Sequence, residues 1–390
     1  METRIAYNYD DFDKVKLEGE NSGAGLFSPF TFICFTFFIV LYGLLSLYSA
    51  SFDLAVRNGY AHYFYLLNQA KGVALGLAIG ILSRLLPIKL IRRSYYFLTP
   101  LSIAVLVLML NPEFNVNGVF YISGVRIISG SMLAIFASIM LVAGTTQSIR
   151  NLGERHGIFY GAVFIAIIAL AVLTAFTSGI GCYFLLTIVV VSMMHASGSG
   201  KGYSVLLFIF LFATGLFLLF VNKDFLSQVL YASMPVLDGR YYDGELLTSQ
   251  MAIKDGGLWG TGLGHGLYKL GILDGVENQY IFSSLCEETG IVGVVGLFLM
   301  IFAYSFLGIR ASQRAFKKNS FWIAGATIGI SMFVLFASAM NVMYVCGLVP
   351  LFGISFPFFS YGPGEEALFV LISVIQYRFI HLMGRPHEKA

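Results

Sequence analysis

Residues 254–290 read KDGGLWGTGLGHGLYKLGILDGVENQYIFSSLCEETG, and the fold turns on what kind of segment this is. Gly260, Gly262, Gly264 and Gly266 alternate as in a nucleotide-binding fingerprint. Such a fingerprint needs a preceding strand inside a soluble βαβ unit. Here the run ends instead by entering an apolar segment of membrane length that begins at Tyr280. The stretch is therefore read as the end of a polar loop between membrane spans, its glycines serving tight turns. It also concentrates the polar chemistry of the chain, with Asp274 and Glu277 in the loop and Glu287 and Glu288 about two turns into the next segment.

Composition supports that reading outward from the loop. The 390 residues are 57% hydrophobic and only 12% charged, about half the charge of a soluble domain, and mean hydropathy is +0.80. Apolar runs recur at the roughly 20-residue length that crosses a bilayer. They predict an all-α polytopic membrane protein with ten spans: Pro29 to Ser49, Tyr63 to Leu86, Tyr95 to Leu110, Ile127 to Gly144, Ile158 to Phe176, Ile180 to His195, Tyr203 to Val221, Tyr280 to Gly308, Phe321 to Val345 and Glu365 to Met383. The fifth and sixth are separated by only Thr177, Ser178 and Gly179, so a single kinked span competes there. Basic residues decide for two. With ten spans, Arg84, Lys89, Arg92, Arg93, Arg150, Arg155, Lys201, Arg310, Arg314, Lys317, Lys318 and Arg378 fall on one side, and the short loops opposite hold little beyond Arg57 and Arg126. That asymmetry places both termini in the cytoplasm. One domain is expected: a cytoplasmic tail at 1–28, a ten-span body at 29–383 with a large extracytoplasmic loop at about 222–279, and a cytoplasmic tail at 384–390. Residues 224–237 of the loop, DFLSQVLYASMPVL, suit an amphipathic interfacial helix.

Other signals carry little. GSGKG at 198–202 lacks the Ser or Thr that follows a phosphate-loop lysine. The six histidines have no ligand spacing, so a catalytic metal is not indicated, and the four cysteines show no paired pattern. A net charge of +3 gives no reason to expect nucleic acid. Ionisable groups within spans are functional candidates by default. For Lys71 snorkelling competes with function, and for Glu365 and Glu366 helix capping does. For Glu287 and Glu288 a buried network and a solvated mouth are equally open.

Taken together, these features resemble the SEDS family of cell shape, division and sporulation proteins, which includes RodA, FtsW and SpoVE. The resemblance runs from LYSAS at Leu47 to Ser51, through Asn117-Gly118, GGLWGTGLG at 256–264, Lys269, Tyr280-Ile281-Phe282 and Glu287-Glu288. Its strongest block is NVMYVCGLVPLFGISFPFFSYG from Asn341 to Gly362. It implies a bacterial cytoplasmic-membrane protein of peptidoglycan assembly that polymerises lipid II, or handles a related lipid-linked precursor, with a class B penicillin-binding protein as partner. It also allows a divalent cation, although no cofactor is read from the sequence itself. The family's catalytic acid is expected just before the YIF triplet, where Gln279 stands. An amide cannot act as a general base; Glu277 or Asp274 is the candidate replacement, but the loss of the Arg-Trp pair argues against simple relocation of one acid, and little or no glycosyltransferase activity is expected. The Arg-Trp pair expected after Asn117-Gly118 is absent, Gly179 replaces an expected aspartate, and Pro363-Gly364-Glu365 replaces a Gly-Ser-Ser.

Lys269, Glu287, Glu288, Asn117, Ser360, Tyr361 and Gly362 are the expected substrate-binding set, a groove whose cation and hydrogen-bond donors suit a pyrophosphate-linked lipid. A non-catalytic paralogue that binds lipid II or organises a complex is the alternative within the family, and a lipid-linked precursor transporter the alternative outside it.

Overall fold

A computed structural model describes residues 28–152, 157–197, 201–221, 244–349 and 354–384. The helix expected at 224–237 and the motif residues Pro350 and Gly353 lie outside them. In chain order the elements are α1 (Pro29–Arg57), α2 (Phe64–Leu85), α3 (Ile88–Arg93), α4 (Tyr95–Leu108), β1 (Asn115–Val116), β2 (Val119–Ile122), β3 (Val125–Ser129), α5 (Gly130–Leu152), α6 (Gly157–Ser178), α7 (Ile180–Ser197), α8 (Lys201–Val221), α9 (Gly244–Gly256), α10 (Ile281–Lys317), α11 (Phe321–Val345) and α12 (Pro363–Gly384). Among the described residues eight helices are long and apolar enough to cross a membrane, and two shorter apolar ones lie at Gly130–Thr146 and Ile180–Ala196. These match the ten expected segments. A helix satisfies its own backbone groups, which lipid cannot do.

The helices sort by burial. The apolar window of α11 is 78% buried and that of α12 61%, whereas α8 has 22%; α11 and α12 are the centre and α8 faces lipid with Leu206, Ile209 and Phe217. Contact between α2 and α12 runs along Gly72, Gly76 and Gly80. A Cβ on Gly76 would stand 2.4 Å from the Ala367 carbonyl oxygen, so the backbones touch directly. Gly179, at φ +93°, separates α6 from α7, which pack on each other as two helices. This resolves the fifth and sixth spans as a pair.

The sequence reading missed a three-stranded antiparallel sheet at 115–129, ordered β1-β2-β3. Asn117-Gly118 and Ser123-Gly124 are its two-residue turns, all four residues at φ between +51° and +79°, which is the geometry an Asn-Gly hairpin favours. Asn115 ties the hairpin to the end of α6 through Thr177 O at 2.9 Å.

The glycine-rich run has a structural task. At Gly290 (φ +62°, ψ −168°) α10 is broken, and its interrupted backbone pairs with residues 257–262. Thr261 and Gly262 amides donate to the carbonyls of Glu287 and Glu288 at 2.9 and 3.0 Å, and Ile291 and Val292 amides donate to Gly257 and Leu258 at 3.0 and 3.2 Å. A Cβ on Gly260 would lie 2.2 Å from Glu288 O. The run is a strap across a broken helix.

Candidate functional site

The acidic pair on α10 is buried in a network. Lys269 Nζ lies 2.5 Å from Glu288 Oε1 and 2.9 Å from Ser49 Oγ, and the Ser49 hydroxyl approaches both Glu288 oxygens at 2.6 and 2.7 Å. Lys269 and Glu288 are 6% and 3% exposed, so the ammonium is neutralised by its neighbour and fixes the loop to α1 and α10. Glu287 accepts from the amides of Leu267 and Tyr268. Ser49, which belongs to the LYSAS motif, acquires a role the sequence did not reveal.

A second set of bonds fixes the end of the loop. Three successive carbonyls are each held: Glu277 O by the Tyr361 amide at 2.7 Å, Asn278 O by the Ser360 hydroxyl at 2.7 Å, and Gln279 O by Asn341 Nδ2 at 3.1 Å. Asn341 also donates to Ile354 O at 2.8 Å, joining the loop to the segment before α12. Gln69 of α2 completes the turn, accepting from the Gly362 amide at 3.0 Å and donating to Ser360 O and Glu366 Oε2 at 3.2 Å.

The loop so held forms one wall of a cavity of about 690 Å³. Glu277, Asn278 and Gln279 line it together with the hairpin turn at Asn117-Gly118 and the stretch from Thr177 to Ile180. Glu277 Oε2 and Asn278 Oδ1 are buried without partners. Burial pushes the Glu277 carboxyl above the ordinary carboxylate range, partly opposed by a hydrogen bond from its own amide and by Arg126, while Asp274 adds to the rise.

Of the expected residues, Glu277, Gln279 and Asn117 line this cavity together. Lys269, Glu287, Glu288, Ser360, Tyr361 and Gly362 do not line it; Lys269 is ion-paired with Glu288, and Ser360 and Tyr361 anchor the loop. Asp274 is exposed and also off the wall. Glu365 and Glu366 do stand in the first turn of α12, but both are buried, Glu365 against Arg126 at 2.9 Å and Glu366 against Gln69. Arg126 is the functional candidate that sequence reading passed over. A basic residue in a short loop on the poorly charged side was its only signal.

A divalent cation needs converging oxygen ligands. Among the described residues no group of three His, Cys, Asp or Glu side chains could hold one, and Glu277 is the carboxylate residue in the described lining of the cavity. Among the described residues the donor set does not fit a dedicated cation site.

The cell cycle protein model FTSW_RODA_SPOVE matches residues 30–377. The chain belongs to this family. Family relatives include a "Probable peptidoglycan glycosyltransferase FtsW" of Halothiobacillus neapolitanus, 27% identical over 345 residues covering 86% of this chain and 82% of that one. Its Bacillus subtilis namesake is 28% identical over 343 residues, covering 84% of each. Among solved structures, a chain from "Structural coordination of polymerization and crosslinking by a peptidoglycan synthase complex" superposes with TM-score 0.68 at 17% identity, covering 91% of this chain and 98% of that one. The rod shape determining protein RodA of Thermus thermophilus gives 0.60 at 19%, with 90% and 95% covered. At those identities the structural likeness is one of fold. Family membership makes the chain a multi-pass membrane protein of the peptidoglycan glycosyltransferase-like type.

Proposed function

We propose that this protein acts in peptidoglycan assembly at the outer face of the bacterial cytoplasmic membrane, binds a lipid II-type precursor in the 690 Å³ cavity, and uses Glu277 as the base for glycosyl transfer. The carrying observation is that Glu277, the carboxylate residue among the described lining of the cavity, has its Oε2 buried and unpartnered. In the step, an acceptor sugar hydroxyl attacks the anomeric carbon of the donor. The hydroxyl proton passes to Glu277, the C–O bond to the lipid pyrophosphate breaks, and the pyrophosphate leaves with the electron pair. A carboxyl raised above its usual range is closer to working pH and a better base. The loop-facing end is taken as outer, with both termini inside, because of the basic-residue asymmetry. A class B penicillin-binding protein is the proposed partner, consistent with the synthase complex among the structural neighbours.

A second reading, a lipid II-binding paralogue without polymerase activity, is favoured by Gln279 at the position of the expected acid. Transport is disfavoured: the buried charged side chains among the described residues, Lys269, Glu287, Glu288, Glu365 and Glu366, lie in the loop or in the first two turns of α10 and α12 rather than spread along the spans. Lipid II polymerisation by the full chain with its partner in nanodiscs distinguishes the readings. General-base loss predicts a fall of about 10²- to 10⁴-fold for Glu277→Gln. Polymerisation indifferent to that change removes Glu277 from the mechanism. An inactive wild type that gains activity with Gln279→Asp selects the second reading.

A further inference from the structure

The strap across α10 carries an apolar surface of its own. Leu258 and Trp259 are 63% and 80% exposed, although they belong to a loop and not to a span. Their backbone is bonded to α10: the Gly257 and Leu258 carbonyls accept from the Ile291 and Val292 amides, and a Cβ on Gly290 would stand 2.6 Å from Leu258 O. Ile291 and Val292 are exposed as well. Four exposed apolar side chains therefore stand at one level of the protein, on two backbones joined by hydrogen bonds. From there the exposed surface of α10 continues at helical spacing through Val295, Leu299 and Phe302, a lipid-facing stripe.

The length of α10 fixes that level. The residues from Ile291 to Ile309 carry no charge, and Arg310, Arg314, Lys317 and Lys318 follow them. At about 1.5 Å per residue this run rises about 28 Å, close to the roughly 30 Å of a hydrocarbon core. With Arg310 at one boundary, Gly290 falls at the other. The strap is bonded to α10 at that boundary, where the apolar ring of a tryptophan suits acyl chains and its N–H suits headgroups. Nothing in the strap opposes entry. Between Asp255 and Lys269 the chain has no Asp, Glu, Lys or Arg, and the Thr261 and Gly262 amides are satisfied by α10, as non-helical backbone at membrane depth must be satisfied by protein.

We propose that the strap is a membrane-interface anchor: Leu258 and Trp259 insert between headgroups and acyl chains at the loop end of the bundle, beside the lipid-facing stripe of α10. The anchor sets the depth at which the 254–280 loop meets the bilayer. It is independent of the chemistry proposed for Glu277.

The chain has two tryptophans, Trp259 and the buried Trp322, so Trp322→Phe leaves one emitter, in the strap. The full-length variant is placed in nanodiscs of phosphatidylcholine, either unmodified or brominated near the carbonyl end of the acyl chains. An interfacial apolar side chain reaches about 5–10 Å into the boundary between headgroups and chains, and bromine at that depth should remove about half or more of the emission. Emission unchanged by bromine overturns the proposal. Quenching by iodide in the buffer alone then identifies a patch that stands in water, open to a partner protein; quenching by neither identifies one covered by protein, a second copy included. If Trp322→Phe does not fold, the difference between wild type and Trp259→Phe gives the same signal without altering the core. A bromine effect equal in those two chains overturns the proposal equally.

Discussion

Replacing Lys269 by Met keeps most of the side-chain volume and removes the charge that faces Glu288. The two groups meet at 2.5 Å with side chains 5% and 3% exposed, so water cannot take the place of the lost ammonium. Breaking a buried pair on one side costs about 3–5 kcal/mol. Ser49 still donates to Glu288 at 2.6 Å, and a hydrogen bond to a charged group is worth about 1.5–3 kcal/mol, which puts the expected loss near the lower end, about 3 kcal/mol. The double variant Lys269→Met, Glu288→Met removes both charges together. An apolar replacement of a whole pair is often close to neutral, so the double variant should be more stable than the single. Equilibrium unfolding of the full chain in mixed micelles, titrated with a denaturing detergent, measures both. A double variant less stable than Lys269→Met, or a single variant within about 1 kcal/mol of wild type, would refute the account of this network as a buried ion pair.

Gly260→Ala should destabilise more than Gly264→Ala in the same assay. Both glycines have positive φ, but a Cβ at 260 meets Glu288 O at 2.2 Å and one at 264 meets nothing within 4 Å. Gly76→Ala should lower the thermal midpoint by forcing α2 off α12, while Gly161→Ala, with open space at its Cβ, should leave it unchanged or raise it. Glu277→Gln should change how stability depends on pH. The folded wild type holds a proton on Glu277 more tightly than the unfolded chain does, so its stability falls as pH rises from the ordinary carboxylate range through the raised value. The variant lacks that slope and should be the more stable protein above the window only; parallel profiles at all pH values would contradict the direction of the shift.

The ten spans were legible because lipid imposes a length and a polarity that a sequence displays directly. Gly179 shows where reading stops: three residues between two apolar runs permit a kink or a reversal, and a positive φ decides it. The sheet at 115–129 had a local signal in Asn117-Gly118 and Ser123-Gly124, but Asn117-Gly118 read first as a family marker and Ser123-Gly124 was not weighed. Lys269 with Glu287 and Glu288 was legible as chemistry and not as geometry, since nothing in the order of residues says that the lysine would be satisfied by Glu288. Ser360 and Tyr361 belong to the same class. Their partners are backbone carbonyls 82 and 84 positions earlier, and a carbonyl has no signature in a sequence. Arg126 and Glu365 are 239 positions apart, each unremarkable until the hairpin folds onto the start of α12.

The break at Gly290 bears on how the chain is made. A transmembrane helix ordinarily enters the bilayer with its backbone already paired, but α10 cannot, because the groups around 287–292 find their partners in residues 257–262. Those partners precede α10 in the chain and have therefore left the ribosome first. The strap is present when the helix arrives, and insertion of α10 and closure of the strap form one assembly step. A transplant of this loop into another scaffold must accordingly carry the first part of α10 with it, since neither piece has a complete set of hydrogen bonds alone.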